Sequence, residues 1–100
     1  MTETVKKAYW IAHVRVDDPE TYKKYVEGAR ESFEKYGAKF IVRGGKAEEI
    51  EGAIGRDRHV VIEFPSYQAA VDCWSCEGYQ AARAHRLAVS EGTVTIVEGI

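Results

Sequence analysis

From Ala8 to Val16 the chain alternates, with Trp10, Ala12, Val14 and Val16 on one side and Tyr9, Ile11, His13 and Arg15 on the other. Period two predicts a β-strand with two dissimilar faces. Asp17-Asp18-Pro19-Glu20 then signals a helix start, pairing an aspartate able to take a bond from a free amide with a proline preset for the first turn. Tyr22, Val26, Ala29, Phe33 and Tyr36 recur at helical spacing, leaving Lys23, Lys24, Glu27, Arg30, Glu31, Glu34 and Lys35 for solvent. Gly37 closes that helix.

Lys39 to Arg43 returns to period two. Gly44-Gly45 marks a bend or bulge, after which a more polar continuation of the second strand is expected through Ile50, followed by a hairpin loop over Glu51 to Asp57. His59 to Phe64 is the most apolar strand, ended by Pro65-Ser66, which also caps the next helix. That helix runs from Tyr67 to Trp74, restarts near Ser75 and continues to Leu87 or Ala88; Glu91-Gly92 turns the chain into a last strand, Thr93 to Val97.

The order βαββαβ is that of a ferredoxin-like α+β fold, one domain over residues 1–100. Its antiparallel four-stranded sheet has the second strand at one edge, the third beside the first, the fourth on the first strand's other side, and both helical stretches on one face. The helix-covered face is expected to take Trp10, Ala12, Val14, Phe40, Val42, Val60, Ile62 and Phe64. Tyr9, Ile11, His13, Arg15, Ile41, Arg43, His59, Val61 and Glu63 are expected opposite. That second face is too apolar for water and too polar for a plain core, so a second copy of the same sheet is expected to cover it as a homodimer enclosing a shared cavity.

Composition narrows the function classes. One hundred residues support one core, so a roomy pocket would draw on a partner subunit. A net charge of -2 without a basic patch argues against a nucleic-acid binder. No apolar run approaches a membrane span, and Met1-Thr2-Glu3-Thr4 lacks the hydrophobic region of a signal peptide, so a cytoplasmic protein is expected. Cys73 and Cys76 are too few for a disulfide framework.

Several strings carry a family resemblance: Tyr9-Trp10-Ile11-Ala12, Asp18-Pro19-Glu20 with Tyr22, Tyr36-Gly37, Val42-Arg43-Gly44-Gly45, Val61-Ile62-Glu63-Phe64-Pro65-Ser66, Tyr79-Gln80-Ala81-Ala82 and Ile96-Val97-Glu98-Gly99. Together, in this order from about Lys7 to Ile100, they resemble domain of unknown function 1330. The resemblance implies a dimeric α+β barrel, an architecture shared by cofactor-independent monooxygenases, muconolactone isomerases, heme-degrading enzymes and stress-responsive proteins. Fold alone transfers none of those activities. Before Glu77-Gly78-Tyr79 the family usually has a tyrosine-asparagine-serine-proline stretch, where this chain has Trp74-Ser75-Cys76.

The candidate chemistry lies on the mixed face. Glu63, on the strand between those of His13 and Arg43, is expected near both; a carboxylate beside a guanidinium stays ionised, and an imidazole moves protons at neutral pH. His13 and Glu63 are thus the candidate catalytic residues, against the plainer reading of a buried Arg43-Glu63 pair that sets register. Arg43, Gly44 and Gly45 are candidates for holding an anion, against a simple glycine bulge. Tyr9, Trp74 and Tyr79 are candidate ligand contacts, against ordinary core aromatics. His59 is expected to be exposed near its strand start and His85 at the surface, and Arg83 with Arg86 could steer an acidic ligand. Cys73-Trp74-Ser75-Cys76 lies too far past a strand for a thioredoxin-type site and lacks the further ligands zinc needs. No cofactor or metal is expected. The sequence therefore predicts a small organic acid or aromatic metabolite bound in a cavity on the sheet face, by a cofactor-free isomerase, lyase or monooxygenase or by a non-catalytic binding or stress-associated dimer.

Overall fold

The computed structural model describes residues 5–100; Met1 to Thr4, read above as lacking a leader, lie outside the described residues. Seven elements follow in chain order: β1 (Ala8–Val16), α1 (Pro19–Lys35), β2 (Lys39–Arg43), β3 (Arg58–Phe64), α2 (Tyr67–Ser75), α3 (Glu77–Leu87) and β4 (Ser90–Glu98). The strands form one antiparallel sheet in the order β2-β3-β1-β4, as expected for the ferredoxin-like fold. Among the described residues no helix is long and apolar enough to cross a membrane.

Local chemistry fixes the helix ends. Asp18 caps α1, its carboxylate accepting from the Glu20 and Thr21 amides, and Pro19 opens the first turn. Gly37, just past the Tyr36 cap, has φ +74°, a conformation that disfavours a side chain. Ser66 caps α2 through the Ala69 amide. The expected restart is a break at Cys76, which ends α2 and whose sulfur accepts from the Tyr79 amide at the head of α3.

α1 and α3 pack against each other where side chains are small. A Cβ on Gly28 would stand 3.2 Å from that of Ala82, and one on Gly78 would meet Ser32 Oγ at 2.7 Å. These close approaches bring both helices down onto Trp10, whose ring packs edge-on against Phe33, Tyr79 and Trp74 and at a tilt against Phe64. The Trp10 indole nitrogen donates to the Ala70 carbonyl at 3.0 Å, so its one polar atom is satisfied inside the core. Ala8, Ala29, Val60, Ile62, Phe64, Ala70, Cys73 and Ala82 complete that core on the helix-covered side of the sheet.

The structure corrects β2 in two ways. No strand continues past Arg43: Gly44 to Asp57 is a loop, tied to β3 by the Gly44 amide donating to the His59 carbonyl at 2.9 Å. The irregularity lies within the strand, between Phe40 and Val42, instead of at the glycine pair. Phe40 pairs with Ile62, Val42 with Val61 and Arg43 with Val60. The extra residue, Ile41, reverses the alternation, so Val42 joins the open face and Arg43 the helix side, opposite to the sides the period-two pattern assigns them.

Candidate functional site

The residues singled out on the strands do not form one cluster. Glu63 lies directly opposite Tyr9 and accepts from its hydroxyl at 3.5 Å, while Lys7 Nζ stands 3.2 Å from the other carboxylate oxygen. On β2 its register partner is Lys39. The expected Arg43-Glu63 pair is therefore absent, because the bulge turns Arg43 to the other side of the sheet. His13 is four residues along β1 from Tyr9, about 13 Å in an extended strand, so it does not reach Glu63. It faces His59 instead, with the two Nδ1 atoms 2.8 Å apart and the rings edge to face. Both imidazoles are half-buried beside the 44–57 loop, in a groove that also takes Glu48, Glu49, Ile50 and Arg56. His59 is thus less exposed than its place near the strand start suggested. Among the described residues no three His, Cys, Asp or Glu side chains converge as a metal-ligand set.

On the helix side a cavity of about 270 Å³ opens between α1, α3 and the sheet. Its inner walls are the buried Trp10, Phe33, Val60, Ile62 and Tyr79, and its exposed lining residues Arg30, Glu34 and Arg43 mark the mouth along the β2 edge. Tyr22, Tyr25, Phe40, Arg58 and Arg86 also line it. Each guanidinium with an aromatic neighbour lies over a ring: Arg43 is 4.2 Å from the Phe40 centroid, Arg58 5.7 Å from that of Tyr22 and Arg86 5.2 Å from that of Tyr25. None of Arg30, Arg43, Arg58 and Arg86 forms an ion pair among the described residues. Arg58 Nε is buried without a hydrogen-bond partner among the described residues.

Gly44 helps to hold Arg58 in place. Its φ is +66°, and a Cβ there would stand 2.6 Å from Arg58 Nη1, so the bare backbone leaves room for the guanidinium. Gly45 faces open space. Deeper in, Arg86 Nη2 donates to the Tyr79 hydroxyl at 3.2 Å, and that hydroxyl is 3.1 Å from Tyr25's. Burial pushes the Tyr25 phenol well above its ordinary range, and neighbouring Tyr79 adds to the shift. Burial likewise raises Tyr22, against the opposing charge of Arg58. For Arg86 burial acts to lower the pKa, but the phenolic oxygens of Tyr79 and Tyr25 outweigh it and the net shift is upward. The pocket thus offers cations and protonated hydroxyls, with Glu34 at the rim as the one carboxylate among its described lining residues.

Of the candidate contacts, Tyr79 and Arg43 line this cavity, Gly44 packs behind it, and Tyr9 lies on the opposite face. Trp74 stands one layer back, against Trp10 and Tyr79, with Arg83 over its ring at 5.2 Å. His85 is exposed. Cys73 is buried, and desolvation first, then Cys76, pushes its thiol up to about 12, which keeps it protonated and unreactive. Tyr22, Tyr25 and Arg58 were missed as site residues. Tyr22 occupies the apolar stripe of α1 and reads as core, Tyr25 falls outside the positions assigned to that stripe, and Arg58 lies between the expected loop and strand; nothing in the sequence singles them out, since Asp57 beside Arg58 offers it a neighbouring carboxylate.

With this geometry in place, comparison with known proteins is informative. The model of DUF1330, a domain of unknown function, matches residues 7–100. This chain belongs to the DUF1330 family. Among proteins of curated function none matches the sequence. A solved protein of unknown function from Rhodopseudomonas palustris is similar, with a TM-score of 0.78 at 21% identity, over 95% of this chain and 83% of that one. SnoaB, a cofactor-independent oxygenase from Streptomyces nogalater, superposes with a TM-score of 0.65 at 11% identity, covering 96% of this DUF1330 chain and 95% of SnoaB. A dimeric ferredoxin-like protein of unknown function from Thermobifida fusca gives 0.54 at 15% identity, over 99% and 96% of the two chains. These likenesses establish the shared fold, the ferredoxin-like α+β architecture.

Proposed function

We propose that this DUF1330 protein binds a small organic acid with an aromatic or apolar body in the helix-side cavity, as a single-domain homodimer in the cytoplasm. The observation that carries this reading is the set of guanidiniums, Arg30, Arg43, Arg58 and Arg86, around aromatic walls, with no carboxylate among the described residues paired to any of them. Uncompensated cations in a partly desolvated site favour an anion, and a guanidinium fork matches a carboxylate's two oxygens. The ring faces of Trp10, Phe40 and Tyr22 suit a flat apolar body.

The exposed Ile41, Val42 and Val97 on the open sheet face support pairing with a second copy, and the Thermobifida fusca relative is described as dimeric. Two free cysteines fit a reducing compartment. A cofactor-free isomerase, lyase or monooxygenase would need a base at the ligand, and His13 and Glu63 face the other side of the sheet. Binding is therefore the stronger reading.

Intrinsic fluorescence of a Trp74→Phe variant tests it, because Trp10 in the cavity wall is then the sole tryptophan. Benzoate and its para-substituted relatives should change that emission saturably and benzamide should not, and Arg58→Met should weaken the response at least about tenfold. Equal responses to acid and amide would rule the reading out.

A further inference from the structure

The inner end of the cavity holds one hydrogen more than its own groups can use. Arg86 Nη2 donates to the Tyr79 oxygen, and a guanidinium has no acceptor, so the direction of that bond is settled. The Tyr25 and Tyr79 hydroxyls share one further bond at 3.1 Å, which consumes one of their two hydrogens whichever donates. Neither hydroxyl has another acceptor among the described residues. Both rings line the cavity, and Tyr79 is 1% exposed. A buried hydroxyl hydrogen calls for an acceptor, and the Arg86 charge polarises this pair into a stronger donor. Because burial raises the Tyr25 phenol, the hydrogen stays in place at neutral pH.

At the mouth the situation is complementary. Arg43 is exposed there and Arg58 has a buried Nε without a partner among the described residues, so the acid group belongs at that end. We propose that the ligand is an oxo-acid: an acid group held at Arg43 and Arg58, an apolar or aromatic body against Trp10 and Phe40, and at the far end a carbonyl-type oxygen that accepts the spare Tyr25-Tyr79 hydrogen. This rests on the acid-binding reading above and narrows its ligand class. A carbonyl is favoured over a hydroxyl or amine because it brings acceptor capacity without a further hydrogen to place.

Two nearly isosteric probes separate the ideas, 4-acetylbenzoate and 4-isopropylbenzoate, titrated by calorimetry into the full-length protein. The wild type should bind the ketone about tenfold more tightly, the range of one well-made hydrogen bond. The Tyr25→Phe/Tyr79→Phe variant should bring the two affinities together, mainly by weakening the ketone, whereas Arg58→Met should weaken both probes alike. Equal wild-type affinities, or a preference that survives in the double variant, would overturn the oxo-acid inference while leaving acid binding intact. Binding of neither probe would overturn both. Should the double variant fail to fold, the carbonyl carbon-13 resonance of labelled 4-acetylbenzoate decides: a downfield shift on binding to the wild type is expected, and an unmoved resonance refutes the inference.

Discussion

The two faces of the sheet treat their polar groups differently. On the open face the polar groups of β1 and β3 are met by neighbours: Glu63 by Lys7 and Tyr9, Arg15 by Asp17 and Glu91, and His13 by His59. On the helix side Arg43, Arg58 and Arg86 rest against rings with no carboxylate in reach among the described residues. The contrast separates a charge that belongs to the structure from one that waits for a ligand. A polar residue on an apolar strand is a weak signal, since its neighbours often satisfy it; an uncompensated cation beside a cavity is a stronger one.

The largest test of that contrast compares residues adjacent in sequence. Trp10→Ala empties the helix-side core and is expected to cost about 3–5 kcal/mol in urea unfolding. Ile11→Ala, facing the other way on β1, is expected to cost less than about 1.5 kcal/mol to the folded chain. Similar losses would mean that the faces are not distinct in packing.

Next in size is Arg43→Met, which keeps the bulge and removes the exposed guanidinium from the mouth of the helix-side cavity. Benzoate-type ligands are then expected to lose about tenfold or more in affinity while circular dichroism stays helical and sheet-like. Unchanged affinity would show that Arg43 contributes nothing at the mouth. Val61→Lys, on the open face, is expected to shift the protein from dimer to monomer in sedimentation with ligand affinity changed less than about threefold. A dimer that survives this substitution would place the interface elsewhere.

The smallest effect sharpens the comparison by lying outside both faces. The Thr21 hydroxyl and amide hold the Asp18 carboxyl below its ordinary range. A depressed folded-state pKa contributes stability that is present above the usual carboxylate range and is lost as pH falls through the folded value. The melting temperature should therefore decline in acid less steeply for Asp18→Asn, whose amide oxygen still caps α1 without titrating. An identical acid profile would mean that the cap bond does not depend on the charge.

The alternation in β1 and β3, the Asp18-Pro19 and Pro65-Ser66 boundaries and the pause near Ser75 determined the element order and most of the core directly from sequence. Each is a local signal, read from side-chain period or from the chemistry of a helix end. The site was less legible. A single bulged residue reverses every later alternation in its strand, and nothing in Lys39 to Arg43 marks Ile41 as that residue. Tyr25, Arg58, Tyr79 and Arg86 come from three separate elements, and Tyr25 and Tyr79, whose hydroxyls meet, are far apart in the chain. Their meeting depends on how closely α1 and α3 approach at Gly28 and Ala82, a distance set by packing. Sequence by itself thus determined which residues could be polar on an apolar strand. The tertiary structure decided which of them are compensated, because compensation depends on neighbours that only folding brings together.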